Sequence, residues 1–128
     1  MRNNEWFGLY VRLSERTIIE RNNMTDNDEF GIRLDFSYYS QIEENNASNN
    51  QYGIYLSGSD FNKIENNTFN KNKFYGIALT PRDKDPSNDN LIERNEILKN
   101  GLYDLYWNGT GTINTFAENL YGTTNWDT

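Results

Sequence analysis

Short apolar runs separated by clusters of asparagine recur about every 22 residues along the chain. Four glycines mark the recurrence, because each begins a stretch in which apolar residues alternate with others, as in GLYV, GIRL, GIYL and GIAL. These glycines are Gly8, Gly31, Gly53 and Gly76, and a fifth copy, DLYW, has Asp104 in the glycine position. Such alternation predicts short β-strands, and no window has the spacing of an amphipathic helix.

Alignment of the five copies predicts four columns of apolar core residues. The first is Leu9, Ile32, Ile54, Ile77 and Leu105, and the second is Val11, Leu34, Leu56, Leu79 and Trp107. The third is Ile19, Ile42, Ile64, Ile92 and Ile113, and the fourth is Met24, Ala47, Phe69 and Ile97. A further column directly before the glycine is aromatic: Phe7, Phe30, Tyr52, Tyr75 and Tyr103. We interpret it as a structural stack at a corner, with a sugar-stacking platform as the alternative.

Asparagine also recurs at fixed places, although it is a poor residue inside helices and strands. One set follows the isoleucine of the third column by three residues, and a second set lies five residues further on: Asn22, Asn45, Asn67 and Asn95, then Asn27, Asn50, Asn72 and Asn100. Equivalent residues of stacked coils lie about 4.8 Å apart, so their side chains can hydrogen-bond from coil to coil. We also expect these asparagines to adopt the left-handed turn conformation that asparagine tolerates.

Short strands and tight turns at this period predict an all-β solenoid of about five coils with asparagine ladders. A leucine-rich repeat has a similar period, but its leucine pattern is absent and no segment could form its helix. We interpret residues 1–128 as a single domain and as a fragment of a longer β-helix or multidomain protein.

The amino-acid composition limits the kinds of active site and partner that the chain can have. The chain has no cysteine and no histidine, which excludes disulfides and every nucleophile that depends on histidine. The net charge of −7 argues against nucleic acid as a partner. No apolar run approaches the length of a membrane span. The N-terminal MRNNEWFG has no signal-peptide core, so the chain is either cytoplasmic or cut from a larger protein.

The cycle N-x-I-x-x-N followed by N-x-x-x-G-I-x-L, clearest from Asn62 to Leu79, resembles the right-handed parallel β-helix repeats of the pectin-lyase-like superfamily. The nearest resemblance is to its carbohydrate-binding and sugar-hydrolase β-helix domains. The resemblance covers nearly the whole chain and implies a right-handed parallel β-helix. Such repeats occur in polysaccharide lyases, epimerases and hydrolases, and also in surface-layer modules and phage adhesins, so the fold alone does not choose a function.

The resemblance implies that substrate binds on the outer face of the Gly-Ile-x-Leu strands. Residues between the inward apolar positions point to that face, where tyrosine can stack on sugars and arginine can bind a uronate carboxylate. We expect six substrate-binding residues: Tyr10, Arg12, Arg33, Asp35, Tyr55 and Tyr106. Asp35 with Arg33 is the catalytic candidate, but the multi-aspartate cluster of the superfamily is absent and the catalytic residues stay unknown. The alternative is an ordinary solvated sheet face.

Two acidic features suggest cation binding. The fourth copy contains an insertion, TPRDKDPSNDN, whose Asp83, Asp85 and Asp89 could bind calcium, although a solvated loop is the alternative. We expect that no cofactor is required, and calcium is the candidate ion for binding. A glutamate follows each isoleucine of the third column: Glu20, Glu43, Glu65 and Glu93. We interpret this column as a solvated face with paired charges, with a cation-binding ridge or a carboxylate pair for glycoside hydrolysis as alternatives.

The preferred interpretation is an extracellular or cell-surface module that binds polysaccharide, with its signal peptide outside this fragment. The alternatives are a catalytic fragment of a polysaccharide lyase, epimerase or hydrolase, and an architectural or oligomerisation module without ligand. MRNNEW cannot cover the first coil, so we expect the N-terminal edge either to continue in a parent chain or to self-associate. We expect NLYGTTNWDT to close the other end around Trp126.

Overall fold

The structure, a computed structural model, describes residues 1–109 and 114–125. These residues form twelve β-strands and no helix. In chain order the strands are β1 (Phe7–Arg12), β2 (Ile18–Glu20), β3 (Phe30–Asp35), β4 (Gln41–Glu43), β5 (Tyr52–Ser57), β6 (Lys63–Glu65), β7 (Tyr75–Thr80), β8 (Leu91–Glu93), β9 (Glu96–Ile97), β10 (Tyr103–Trp107), β11 (Thr115–Ala117) and β12 (Leu120–Tyr121). In the described part of the chain, no helix is long and apolar enough to span a membrane.

The strands form three parallel sheets, and each coil adds one segment to each sheet. Sheet 1 has the order β1-β3-β5-β7-β10, and sheet 2 has the order β2-β4-β6-β8-β11. Sheet 3 pairs β9 with β12 and continues through single bridges between Asn23, Asn46, Thr68 and Glu96. Because consecutive coils stack strand on strand, the chain is a β-solenoid of about five coils, as the repeat predicts.

The predicted core columns lie inside this solenoid. Sheet 1 pairs the first two columns residue for residue, from Leu9↔Ile32 to Leu105↔Ile77 and from Val11↔Leu34 to Trp107↔Leu79. The fourth column is fully buried at Met24, Ala47, Phe69 and Ile97.

The third column is wrong at its last member. Ile113 lies outside the described residues, and it is Phe116 of β11 that pairs with Ile92 of β8. The difference arises because Phe116 lies twelve residues after Asp104, whereas the isoleucine lies eleven residues after the glycine in the first three copies.

The asparagines form ladders that satisfy the backbone at two corners of every coil. Asn67, which is 2% exposed, accepts hydrogen bonds from the backbone N–H and the side-chain amide of Asn45 at 2.9 and 3.0 Å. Its own amide donates to the Ile42 carbonyl at 2.9 Å and to Asn95 Oδ1 at 3.0 Å. The same pattern connects the second set and extends the first to Asn119. The ladders therefore replace sheet hydrogen bonds where the chain turns.

The predicted left-handed conformation belongs to different residues. The positive φ angles at these corners fall on the residue before each ladder asparagine: Arg21, Glu44, Asn66 and Arg94 at the first corner, and Asp26, Asn49, Lys71 and Lys99 at the second. Asparagine suits the ladder position because its buried carboxamide accepts from one coil and donates to the other. The preceding residue makes the turn with its side chain in solvent, so its identity varies.

Two further ladders lie at a third corner of each coil, between sheet 1 and sheet 2, and the sequence pattern did not predict them. The Oδ1 atoms of Asn62 and Asn90 each accept a hydrogen bond from a backbone N–H of the preceding coil. The Asn90 backbone N–H in turn donates to Asn114 Oδ1, where the series ends. Beside them the Ser59 hydroxyl accepts from the Ser37 backbone N–H at 3.1 Å. These positions lie in the spacer, whose length changes in the fourth copy, so the alignment did not reveal them.

Asp104 in the glycine position ends one ladder. Its carboxylate accepts from the backbone N–H and side-chain amide of Asn100 at 3.0 and 2.8 Å, in place of the next asparagine. Its other oxygen accepts from the backbone N–H groups of Gly122 and Thr123. Thr124 then pairs with Leu105 of β10, so the C-terminal segment closes the last coil. Trp126, the predicted centre of this closure, lies outside the described residues.

Glycine is needed in the other copies because the strand passes close to the ladder. A Cβ atom on Gly76 would lie 2.2 Å from Ile97 Cγ2 and 2.7 Å from the Asp104 carbonyl oxygen. These contacts are shorter than van der Waals separation, so the position accepts no side chain. The last coil lacks a ladder asparagine at this point, and that space holds the Asp104 side chain.

Candidate functional site

The outer face of sheet 1 presents the predicted binding residues in register. Tyr10 pairs with Arg33, Arg33 with Tyr55, and Arg12 with Asp35, on neighbouring strands. Tyr10 is 42% exposed, and Arg12 is also exposed. Tyr106 lies two strands beyond Tyr55, so it is not part of the same cluster.

The centre of the face is a buried carboxylate. Asp35 is 1% exposed, yet it lies beneath other side chains of the outer face and not in the apolar core. The Tyr10 hydroxyl donates to Asp35 Oδ2 at 2.7 Å, and Arg33 Nε donates to Asp35 Oδ1 at 2.9 Å. The Arg82 guanidinium lies 3.6 Å from Oδ2. Asp35 therefore positions the groups above it.

The ionisation of Tyr10 follows from this arrangement. Burial raises the pKa of Tyr10, and the hydrogen bond to the Asp35 carboxylate raises it further because the neutral phenol is the donor. The phenol is therefore protonated at neutral pH. It can donate a hydrogen bond or a proton, but it is not a base.

Arg33 is held by aromatic rings as well as by Asp35. Its guanidinium carbon lies 4.9 Å from the Phe30 ring centroid, 5.3 Å from that of Tyr55 and 6.0 Å from that of Tyr10. Cation–π contacts of this kind stabilise by about 0.5–2 kcal/mol. The Arg33 side chain is 20% exposed, so it is fixed in place with little freedom to reach toward a ligand.

The aromatic column is a structural stack that continues into the outer face of sheet 1. Its rings follow one another from coil to coil, with centroids 5.4 Å apart for Phe7 and Phe30 and 4.9 Å apart for Phe30 and Tyr52. Rings of the outer face pack on its flank, as Tyr106 does on Tyr75 at 4.5 Å. The column thus supports the face from one side, in agreement with the corner interpretation.

Arg82 is the site residue that sequence reasoning missed. It follows β7 in the insertion of the fourth coil, where paired backbone hydrogen bonds between Arg82 and Asp85 make a tight hairpin. Gly58 accommodates the hairpin, since a Cβ there would lie 2.9 Å from that of Arg82. The Arg82 side chain crosses to Asp35 and remains 37% exposed. The position of the insertion next to the face was the signal, but its three aspartates were the residues to which the sequence pattern assigned a function.

Those aspartates do not come together as a cluster of metal ligands. In residues 1–109 and 114–125, no group of three or more acidic side chains converges as metal ligands would, and Asp83, Asp85 and Asp89 are no exception. The hairpin aims Arg82 at the outer face while Asp83, Asp85 and Asp89 stay on the exposed side of the loop.

The glutamate column carries paired charges. Lys63 Nζ lies 2.7 Å from Glu65, and Arg94 bridges Glu65 and Glu93. The hydrogen bond from Lys63 lowers the pKa of Glu65, with the nearby charges of Lys63 and Arg94 acting in the same direction. Both carboxylates are thus paired with cations, which favours the interpretation as a solvated face over a hydrolytic acid pair.

Comparison with known proteins agrees with this architecture. Residues 1–87 match the family model described as the right handed beta helix region. The chain belongs to this family. A comparison with curated proteins found no match.

The right-handed β-helix of this chain is similar to solved structures of one enzyme. A point mutant of the periplasmic alginate epimerase AlgG is 26% identical, with a TM-score of 0.79 over 88% of this chain and 26% of that chain. A second mutant is 24% identical, with a TM-score of 0.71 and coverage of 88% and 25%. The unmutated AlgG structure is 17% identical, with a TM-score of 0.66 and coverage of 90% and 36%. The chain therefore spans about a quarter to a third of the length of these structures, and the likenesses below 25% identity support the fold alone.

Proposed function

We propose that this chain is a β-helix module that binds an acidic polysaccharide along the outer face of sheet 1. The binding surface consists of Tyr10, Arg12, Tyr55 and Arg82, arranged above the Asp35–Arg33 pair. The module acts in a longer protein outside the cytoplasm, at the cell surface or in the periplasm. The observation that carries the proposal is the exposed Arg82 guanidinium beside Tyr10 on an aromatic face.

The charges of this surface suit an anionic sugar despite the overall charge of −7. Arg33 and Arg82 bring two guanidinium groups to one carboxylate, Asp35, and Arg12 is the strand neighbour of Asp35 on β1. Asp35 is covered and does not face the ligand directly. Arginine binds carboxylates through paired N–H donors, so Arg82 is the residue that we assign to the carboxylate of a uronate.

The resemblance to AlgG supports the substrate class. AlgG is named as an alginate epimerase, and this chain resembles part of its structure at 26% identity. Sugar rings present apolar C–H faces that pack on tyrosine, as Tyr10 and Tyr55 would provide. Alginate is therefore the first polysaccharide to test.

Affinity electrophoresis tests the proposal. We expect alginate and polygalacturonate in the gel to retard the chain, and neutral dextran to leave its mobility unchanged. Tyr10→Ala should reduce the retardation, whereas the matched variant Tyr121→Ala, an exposed tyrosine of β12, should not. If no polysaccharide retards the wild-type chain, the interpretation as a spacer module without ligand replaces this one.

A second candidate is a catalytic fragment of a lyase or epimerase, favoured by the hydrogen bond between Tyr10 and Asp35. Both reactions remove the proton next to the uronate carboxylate, and an epimerase returns a proton to the opposite face of the ring. A protonated Tyr10 can supply that proton. The base is harder to assign, because the chain has no histidine and the Asp35 carboxylate is occupied by Tyr10 and Arg33.

The two candidates differ in products. Catalysis predicts either unsaturated ends, seen by ultraviolet absorbance, or exchange of the C5 proton with deuterated solvent, seen by NMR, after incubation with polymannuronate. Tyr10→Phe should abolish either signal while keeping most of the binding. Binding without unsaturation or exchange identifies a binding module.

A further inference from the structure

A slot of about 280 Å³ opens at the corner between sheets 1 and 2, apart from the surface that we assign to the polysaccharide. Four side chains line it: Arg16, Ile18, Tyr39 and Gln41. None of them takes part in the cluster around Asp35. Ile18 is 66% exposed and Tyr39 is 51% exposed, so large apolar groups stand in solvent at this corner.

The β-helix repeat itself builds the slot. Ile18 and Gln41 are directly paired as the first residues of β2 and β4, and they form its floor. Arg16 and Tyr39 occupy equivalent corner positions in consecutive coils, with φ angles of 54° and 56°, and they form its walls.

Tyr39 offers one ring face to this slot. The Phe61 ring stacks on its other face, with centroids 5.1 Å apart and planes 8° from parallel. On the side of the slot, the Arg16 guanidinium carbon lies 5.9 Å from the Tyr39 centroid. Because Phe61 fixes the ring, Tyr39 is a rigid platform rather than a mobile surface side chain.

Arg16 can bind an anion here. It forms an ion pair with Glu15 at 3.8 Å, but both side chains are largely exposed, at 78% and 62%. An exposed pair of this length stabilises by about 0–1 kcal/mol, so a ligand carboxylate can compete with Glu15. The exposed Gln41 carboxamide supplies a donor and an acceptor beside it.

We propose that this slot is a second subsite, which binds one uronate ring of the same polysaccharide. Arg16 turns from the Tyr39 ring to the carboxylate of the sugar, the apolar face of the sugar then packs on Tyr39 and Ile18, and its hydroxyls contact Gln41. An aromatic wall, an aliphatic floor and a cation are together what an acidic pyranose requires. The inference rests on the proposed function, because the occupant is assigned from the same class of ligand.

Amide chemical shifts measured during a titration with trimannuronate test the subsite. We expect two groups of perturbed signals, one at Tyr10 and Arg33 on sheet 1 and the other at Ile18 and Gln41 at the slot. Tyr39→Ala should remove the second group, leave the first, and weaken binding of long alginate about tenfold. Arg16→Gln, which removes the charge but keeps a polar side chain, should also reduce the shifts at the slot.

Three other results would overturn this subsite. If the perturbed signals were confined to sheet 1 and Tyr39→Ala bound long alginate within twofold of the wild-type affinity, the subsite would be refuted and the proposed function would stand. Absence of binding at both places would remove the proposed function as well. Signals that broaden with protein concentration and sharpen in Tyr39→Ala would show that this surface contacts a second copy of the chain instead of sugar.

Discussion

Substitution of Asn67 by alanine should test the ladders more sharply than any other change in the core. The Asn67 carboxamide accepts two hydrogen bonds from Asn45, and its two N–H groups make three donor contacts, one of them shared, with the Ile42 carbonyl, the Glu65 carbonyl and Asn95 Oδ1. Alanine removes all five and leaves the buried Asn45 backbone N–H without this acceptor. Each buried polar group left unsatisfied costs about 1–3 kcal/mol. We therefore expect a loss of about 3–5 kcal/mol in the free energy of unfolding.

Urea unfolding followed by circular dichroism measures this loss. The loss is large against the roughly 5–15 kcal/mol that stabilise a typical domain. Asn23→Ala is the matched control, because Asn23 lies in the neighbouring exposed position of the first coil; we expect a change within about 0.5 kcal/mol. Asn67→Asp keeps the acceptor for Asn45 but places an oxygen against the Ile42 carbonyl, so it should also destabilise. If Asn67→Ala lowered the free energy of unfolding by less than about 1 kcal/mol, the claim that the asparagine ladder stabilises the corner would be refuted.

Three further changes follow from the same structure. Gly76→Ala should lower stability by about 1–3 kcal/mol through overpacking against Ile97, measured by urea unfolding, and an unchanged midpoint would contradict the close approach. Because the folded pKa of Glu65 is lowered, its contribution to stability is present above its ordinary pKa of 4.5 and is lost as pH falls through the folded value. Glu65→Gln should therefore reduce the dependence of the free energy of unfolding on pH in the acidic range, while substitution of the exposed Glu118 by glutamine should not. Among the described residues β1 pairs with β3 alone, so the isolated 128-residue chain should self-associate through the other edge of β1. Light scattering at high protein concentration should detect dimers, and a strictly monomeric chain would argue against this.

The period of the sequence predicted most of the fold, because a solenoid converts a repeat in sequence directly into contacts in space. Aligning Gly8, Gly31, Gly53 and Gly76 was enough to place the strands of sheet 1 in register. The alignment failed where the period changes. In the last coil it selected Ile113, whereas Phe116, one residue later than the spacing of the first three copies, pairs with Ile92.

The candidate site was predictable only in part for the same reason. Tyr10, Arg33 and Tyr55 lie on the strands, and their shared face follows from alternation. Arg82 belongs to an insertion without an equivalent in other coils, and its contact with Asp35 spans two coils. No periodicity encodes such a contact.

Turn geometry was the other limit. Asparagine was expected to carry the left-handed conformation, but hydrogen bonding and backbone strain are divided between adjacent residues, as Asn66 and Asn67 show. A sequence shows which corner repeats, but not which of two neighbours makes the turn.

Isothermal titration calorimetry with an alginate oligosaccharide tests the central claim most directly. We compare wild type with Arg82→Gln and with Arg21→Gln, which removes an exposed arginine from a different corner. The account predicts that wild type binds, that Arg82→Gln weakens binding at least tenfold through the loss of a charged hydrogen bond worth about 1.5–3 kcal/mol, and that Arg21→Gln binds as wild type does. Equal affinity of the two variants, or no heat of binding for wild type, would contradict the assignment of the sheet 1 face.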